Sequence, residues 1–177
     1  RHGEVAASGD AQKVVLEYER FLAGKEQRDQ SAAPAHAVQP DSHGRIVSVD
    51  VVGAGGEPRT AFAPGDPWGV VLDLAVDRAD RPVQIHLAVS TRDNVVCLSF
   101  DTRLDGFGPL VGAERYRVRI GLDSLPLAKG EFIVYAYLAD EKSLALYDAR
   151  SDRAFHVESE AWQSGLFLAP GRWERLT

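Results

Sequence analysis

No methionine occurs among the 177 residues, and cysteine occurs once, at Cys97. A single cysteine cannot close a disulfide within the chain, and it gives no paired-ligand spacing for zinc, so a reducing compartment is the expectation. The histidines, His2, His36, His43, His86 and His156, lack the H-x-x-x-H and H-x-H spacings that would place two imidazoles on one metal. Basic residues are in deficit, 20 Lys and Arg against 26 Asp and Glu, for a formal charge of -6. The cationic surplus that drives binding to a phosphate backbone is missing, which excludes a nucleic-acid partner. No apolar run reaches the roughly 18 residues of a membrane-spanning helix, and the opening "RHGEVAASGD" has no apolar signal core. A chain soluble by itself is expected.

Catalytic signatures are also lacking. There is no G-x-x-x-x-G-K-[ST] loop and no G-x-S-x-G elbow, which excludes P-loop hydrolysis and gives no support to an α/β-hydrolase. The "GAGGEP" at Gly53–Pro58 fails the dinucleotide fingerprint because Pro58 stands where the last glycine is required. It reads as a hairpin turn. Cys97, in "VVCLSF", has no catalytic-thiol motif around it and reads as a small strand residue. The carboxylate pairs Asp101/Asp105 and Asp140/Glu141 fit strand ends and turns, although a glycosidase would also need two such groups. The chain starts at Arg1 rather than at a methionine, which is expected of a piece of a longer protein.

Three zones are present. In "GDAQKVVLEYERFLAG", Asp10 suits an N-cap, Val14, Val15, Tyr18, Phe21 and Leu22 share one helical face, and Gly24 closes the helix. Residues 25–44 are rich in Gln, Ser, Ala, Pro, Asp and His without apolar periodicity, the composition of a linker. From Arg45 the period changes to two. The runs "RIVSVDVVG", "RTAFA", "WGVVLDLAVD", "RPVQIHLAVST", "NVVCLSFD", "RYRVRIGL", "GEFIVYAYLAD", "LALYD" and "AFHVE" read as short strands with turn residues between them. This predicts an all-β antiparallel sandwich, immunoglobulin-like or jelly-roll, over residues 45–177. The acidic "YDARSD" is expected to turn one edge strand back into "AFHVE".

Strand phase then picks out a face. The hairpin of Gln84–Ser90 and Val95–Phe100 should share a sheet with the penultimate strands, turning Gln84, His86, Ser90, Cys97, Ser99, Tyr135, Tyr137 and His156 away from the core. Rings beside amide, imidazole and hydroxyl groups suit a saccharide, which offers C–H faces and hydroxyls together. The same tyrosines also suit a half-exposed sheet face, or one covered by a loop or a second subunit. On the other sheet Arg115, Arg117 and Arg119 should face Asp73 and Asp77 as cross-strand ion pairs.

With the strands placed, "LPLAKGEFIVYAYLAD", "LALYDARSDRAFHVE" and "GLFLAPGRW" resemble the C-terminal domain of Wzt-type proteins, the ATP-binding subunits of ABC transporters that export lipid-linked O-antigen polysaccharide. The matching pieces are Leu125–Leu138, Tyr147–Val157 and Gly165–Trp173, and "RHGEVAASGDAQKVVLEYERFL" is similar to the end of an ABC nucleotide-binding domain. Their joint order is more specific than any one of them. The resemblance implies that residues 1–24 close a nucleotide-binding domain, and that the missing Walker motifs, with the ATP and Mg that such a domain uses, belong to a part not in this sequence. No cofactor is expected in the present chain. It further implies a non-catalytic carbohydrate-binding module that meets O-antigen polysaccharide at the cytoplasmic face of the bacterial inner membrane, joined to the transporter's transmembrane subunit through the full-length protein. A homodimer exchanging "GLFLAP" between protomers, hinged at "SEAWQS", is implied as well. No binding residue is carried over from the family, so the candidate set Gln84, His86, Ser90, Ser99, Tyr135, Tyr137 and His156 rests on strand phase. Two other readings stay open: a dimerisation and transporter-docking domain without glycan contact, and an enzyme acting on the glycan terminus.

Overall fold

Period-two alternation commits a segment to extended chain with one face to bury, and the fold follows from how those faces meet. The computed structural model describes residues 42–161, 165–169 and 174. Within them the alternating runs form eight strands: β1 (Gly44–Val52), β2 (Ala61–Phe62), β3 (Trp68–Val76), β4 (Val83–Thr91), β5 (Val96–Asp101), β6 (Arg115–Leu122), β7 (Gly130–Asp140) and β8 (Leu146–Val157). They make a three-stranded sheet, β1-β3-β6, and a five-stranded sheet, β2-β8-β7-β4-β5. All pairings are antiparallel except that of β2 with β8. The described part is all-β, as the sequence predicts. The N-terminal helix and nearly all of the linker lie outside the described residues.

The core lies between the sheets. Val70, Leu72, Leu74 and Val76 of β3 meet Val83, Ile85, Leu87 and Val89 of β4 and Phe132, Val134, Ala136 and Leu138 of β7 in one buried cluster. Trp68, 1% exposed, anchors one end. Its ring lies 5.5 Å from that of Phe155 and 6.2 Å from that of Phe100, so one aromatic group ties β3 to both β8 and β5. Burying such side chains contributes about 1.5–3 kcal/mol each before ordering costs are counted.

One expectation is corrected along β8. "LALYD" and "AFHVE" are not separate strands joined by a turn; Leu146–Val157 runs as one. Its last residues lie between β7 on one side and the two-residue β2 on the other. The register against β7 shifts between Val134/Ala136 and between Leu138/Ala139, and at each shift β8 holds one residue more than its partner. These are β-bulges, which keep a strand paired while bending it. Polar residues that suit a turn are accommodated because two of them point inward to the other sheet. Asp148 Oδ2 accepts the Ile46 N–H at 2.7 Å, and Arg153 Nε donates to the Val49 carbonyl at 2.7 Å. Because β1 is the edge strand of its sheet, these side chains supply partners that a neighbouring strand would otherwise give.

Other turns follow the sequence. "GAGGEP" is a hairpin turn: Gly53 N–H donates to the Glu57 carbonyl, Gly56 has φ 87°, and Arg119 Nη2 donates to the Gly53 and Ala54 carbonyls. On the three-stranded sheet, Asp73 pairs with Arg117 as expected, at 3.4 Å. Asp77 does not face the arginines of β6. It pairs with Arg81 and His43 just beyond the end of β3.

Candidate functional site

The outer face of the five-stranded sheet is set by cross-strand register. On β7, Phe132, Val134, Ala136 and Leu138 point inward, so Ile133, Tyr135 and Tyr137 point outward. Tyr137 is opposite His86 on β4 and Ala149 on β8, and Tyr135 is opposite Ala88. Ala88 is in turn opposite Ser99 of β5, and Ile133 is opposite Ala154. Two aromatic side chains about 7 Å apart along one strand therefore stand among small neighbours. The alanines matter because larger side chains at those positions would wall in the rings.

The two tyrosines are held differently. Tyr135 Oη donates to Asn94 Oδ1 at 2.9 Å, across to the β4–β5 turn, where Asn94 has φ 59°. Asn and Asp tolerate that left-handed backbone better than most residues. The Tyr137 hydroxyl makes no hydrogen bond among the described residues. Burial, with Tyr135 nearby, pushes the Tyr137 phenol above its ordinary value, so it stays a neutral donor and acceptor at physiological pH.

His86 is fixed from both sides. Nδ1 meets Asp101 Oδ2, and Nε2 lies 3.0 Å from Ser143 Oγ. For Asp101, burial opposes ionisation, but the Leu104 and Arg103 N–H groups and then His86 outweigh it and hold the carboxyl below its usual range. An ionised carboxylate only accepts, so Nδ1 carries a proton toward Asp101, while Nε2 stays within hydrogen-bond distance of the Ser143 hydroxyl. The ring is thereby a positioned wall of the face, with both nitrogens engaged.

The remaining predicted residues divide. Gln84 and Ser90 do share the outward phase, yet they are only 2% and 3% exposed. Gln84 Oε1 accepts from Thr102 Oγ1 and its Nε2 donates to the Glu141 carbonyl at 3.4 Å, so the flanking loops cover it. Ser99 is exposed on β5. Cys97 is the extra residue where the β4–β5 register shifts, and it packs against the core cluster with its thiol pushed up by burial. His156 faces outward on β8, 3.0 Å from Glu158, at the far end of the face. There Arg92, Glu131, Ile133, Ala154 and His156 border a hollow of about 100 Å³, with Arg92 paired to Glu131. The face thus runs from His86 and Tyr137 past Tyr135 to this hollow.

Carboxylates near the face serve turns. Asp101 accepts from the Arg103 and Leu104 N–H groups, and Asp105 accepts from Asp101 N–H. Asp140 accepts from the Leu144 and Ala145 N–H groups, and the Ala145 bond leads in lowering its pKa. Asp101 and Asp140, held ionised in this way, are poor general acids, which a glycosidase needs. Among the described residues no cluster of His, Cys, Asp and Glu could hold a metal, and no helix is long and apolar enough to cross a membrane.

The Wzt C-terminal domain matches residues 37–168. The chain belongs to the Wzt C-terminal domain family. A crystal structure of the C-terminal domain of Wzt superposes with a TM-score of 0.67 at 12% identity, covering 76% of this chain and 85% of that one, and so shares the Wzt C-terminal fold. A β-glucuronidase from Bacteroides uniformis (TM-score 0.44, 11% identity, 62% of this chain and 14% of that) and a Niemann-Pick type C2 protein from Japanese carpenter ant (0.44, 9%, 65% and 92%) are more distant. A comparison with curated proteins gives no match. As a Wzt C-terminal domain, the described sandwich is a non-catalytic part of an O-antigen ABC transporter. The roles of Asn94, Asp101, Ser143 and the alanine floor in the face were missed from sequence, because they depend on which strands become neighbours.

Proposed function

We propose that this domain binds the O-antigen polysaccharide directly, without chemical change, across the outer face of its five-stranded sheet. The observation that carries the reading is the pair Tyr135 and Tyr137, outward and adjacent on β7 among Ala88, Ala149 and Ser99. A sugar ring can lay its C–H face on either phenol. The Tyr137 hydroxyl and Ser99 can then meet its hydroxyl groups. Covering about 50 Å² of one ring contributes roughly 1.3 kcal/mol, near tenfold in affinity. His86, held between Asp101 and Ser143, keeps the edge of the face in place.

In this reading the domain works at the cytoplasmic face of the inner membrane, coupled through the full-length subunit to the transmembrane part of the exporter. It also dimerises by exchange of its C-terminal segment. Leu127 bridges Phe167, and Ala128 and Leu168 N–H groups bond the Leu166 and Pro126 carbonyls within one chain. An exchanged segment would make the same bonds to a partner, as domain swapping requires.

The test is a titration of the chain with O-polysaccharide from its source organism, followed by NMR or calorimetry, with Tyr135→Ala and Tyr137→Ala in parallel. Saturable binding, weakened about tenfold or more in either folded variant, is expected. Absence of binding at millimolar polymer sites, about 4 kcal/mol, would instead favour a dimerisation and docking role.

A further inference from the structure

The two sheets are unequal, and the shortfall leaves one flank open among the described residues. β6 ends the three-stranded sheet and β5 ends the five-stranded one, with no further strand beside either among the described residues. The Glu114 carbonyl accepts from Val76 N–H, on the β3 side. By the two-residue alternation of an antiparallel ladder, Tyr116, Val118 and Ile120 also hydrogen-bond toward β3. The backbone groups of Arg115, Arg117 and Arg119 are therefore directed to the free edge.

The side chains along that edge carry a matching alternation. Val118 and Ile120 point toward the core but remain half-buried, because nothing among the described residues completes the cover on their flank. With Ile85, Leu87 and Phe100 from the opposite sheet they line a cleft of about 200 Å³, which Asp101, Thr102, Asp105 and Arg119 also border. That exceeds the roughly 150 Å³ in which an apolar cavity can hold a benzene ring. Phe107, also lining the cleft, is 65% exposed at its mouth. On the opposite face Arg115, Arg117 and Arg119 form a cationic row. Asp73 is the one carboxylate that meets it among the described residues, at 3.4 Å from an Arg117 that is 72% exposed.

We infer that the β6 edge is a docking site for an extended segment of another protein in which acidic and apolar residues alternate. Main-chain bonds to Arg115, Arg117 and Arg119 would add the segment as a strand. Its carboxylates would lie beside the guanidinium row and its apolar side chains would enter the cleft. A second copy of β6 is a poor occupant, because two-fold antiparallel pairing keeps each face on its own side and sets arginine row against arginine row. The exchanged C-terminal segment proposed above uses Pro126–Ala128, so both contacts can coexist.

The test uses the isotopically labelled chain and a capped ten-residue peptide alternating glutamate with leucine, against a control alternating lysine with leucine. The expected result is saturable shifts and slowed hydrogen exchange at the Arg115, Arg117 and Arg119 amides. Affinity should fall at least tenfold in the Arg115→Glu/Arg117→Glu variant, fall with added salt, and fall also in Phe107→Ser, whose exposed side chain is not needed for folding. The inference is overturned by an unperturbed β6 at millimolar peptide, by equal binding of the lysine peptide, or by self-association of the chain through β6. The readout lies on the opposite sheet from Tyr135 and Tyr137, so it fails or succeeds independently of glycan binding.

Discussion

Replacing Asp148 with alanine removes an acceptor that one sheet lends to the other. Its Oδ2 takes the N–H of Ile46, a residue 1% exposed on the edge strand β1, at 2.7 Å, while Oδ1 takes the Ala149 N–H at 2.9 Å. In Asp148→Ala the Ile46 N–H is left in a buried setting without a partner, which costs about 1–3 kcal/mol, and the local bond to Ala149 adds up to about 1. A loss near 2–3 kcal/mol is expected. Asp148→Asn keeps a carbonyl oxygen of similar reach but loses the charge assistance, so it should cost about 1 kcal/mol. Urea unfolding measures both, as a lower midpoint with an unchanged m-value, because the surface exposed on unfolding stays the same. Arg153→Ala, which frees the Val49 carbonyl, should add to Asp148→Ala within about 0.5 kcal/mol, since the two share no partner. The reasoning is refuted if Asp148→Ala costs under 0.5 kcal/mol on the order of ordinary surface changes, or if the asparagine variant is as damaging as the alanine.

Tyr135→Phe removes the bond to Asn94 and keeps the ring; stability should fall by about 0.5–1.5 kcal/mol while glycan affinity, read by calorimetry, changes less than about threefold. Acid should destabilise the domain through Asp101 and Asp140, whose carboxyls are depressed in the folded state. A depressed folded pKa contributes stability that is complete above the unfolded value and lost as pH falls through the folded one. Thermal midpoints should therefore hold from neutrality to about pH 5 and decline below about pH 4. Asp140→Asn should flatten that decline, and an unchanged acid profile would count against the N–H bonds as its cause.

Apolar alternation in the sequence was enough to determine the strands and their inward faces. Val70, Leu72 and Leu74, like Phe132, Val134 and Ala136, have few ways to leave water other than as one face of a sheet. The outward phase of Tyr135 and Tyr137 followed from the same period. Exposure did not, because Gln84 and Ser90 share that phase and are covered by what packs above them. The continuity of β8 was beyond local reading as well. Asp, Ser and Arg favour a turn unless distant groups satisfy them, and here Ile46 and Val49, about a hundred positions away along the chain, do so. Only the tertiary structure brings Asp101 and Ser143 to His86, and Ala149 beneath Tyr137. Period is a property of neighbours along the chain, whereas cover, register and hydrogen-bond partners are properties of neighbours in space.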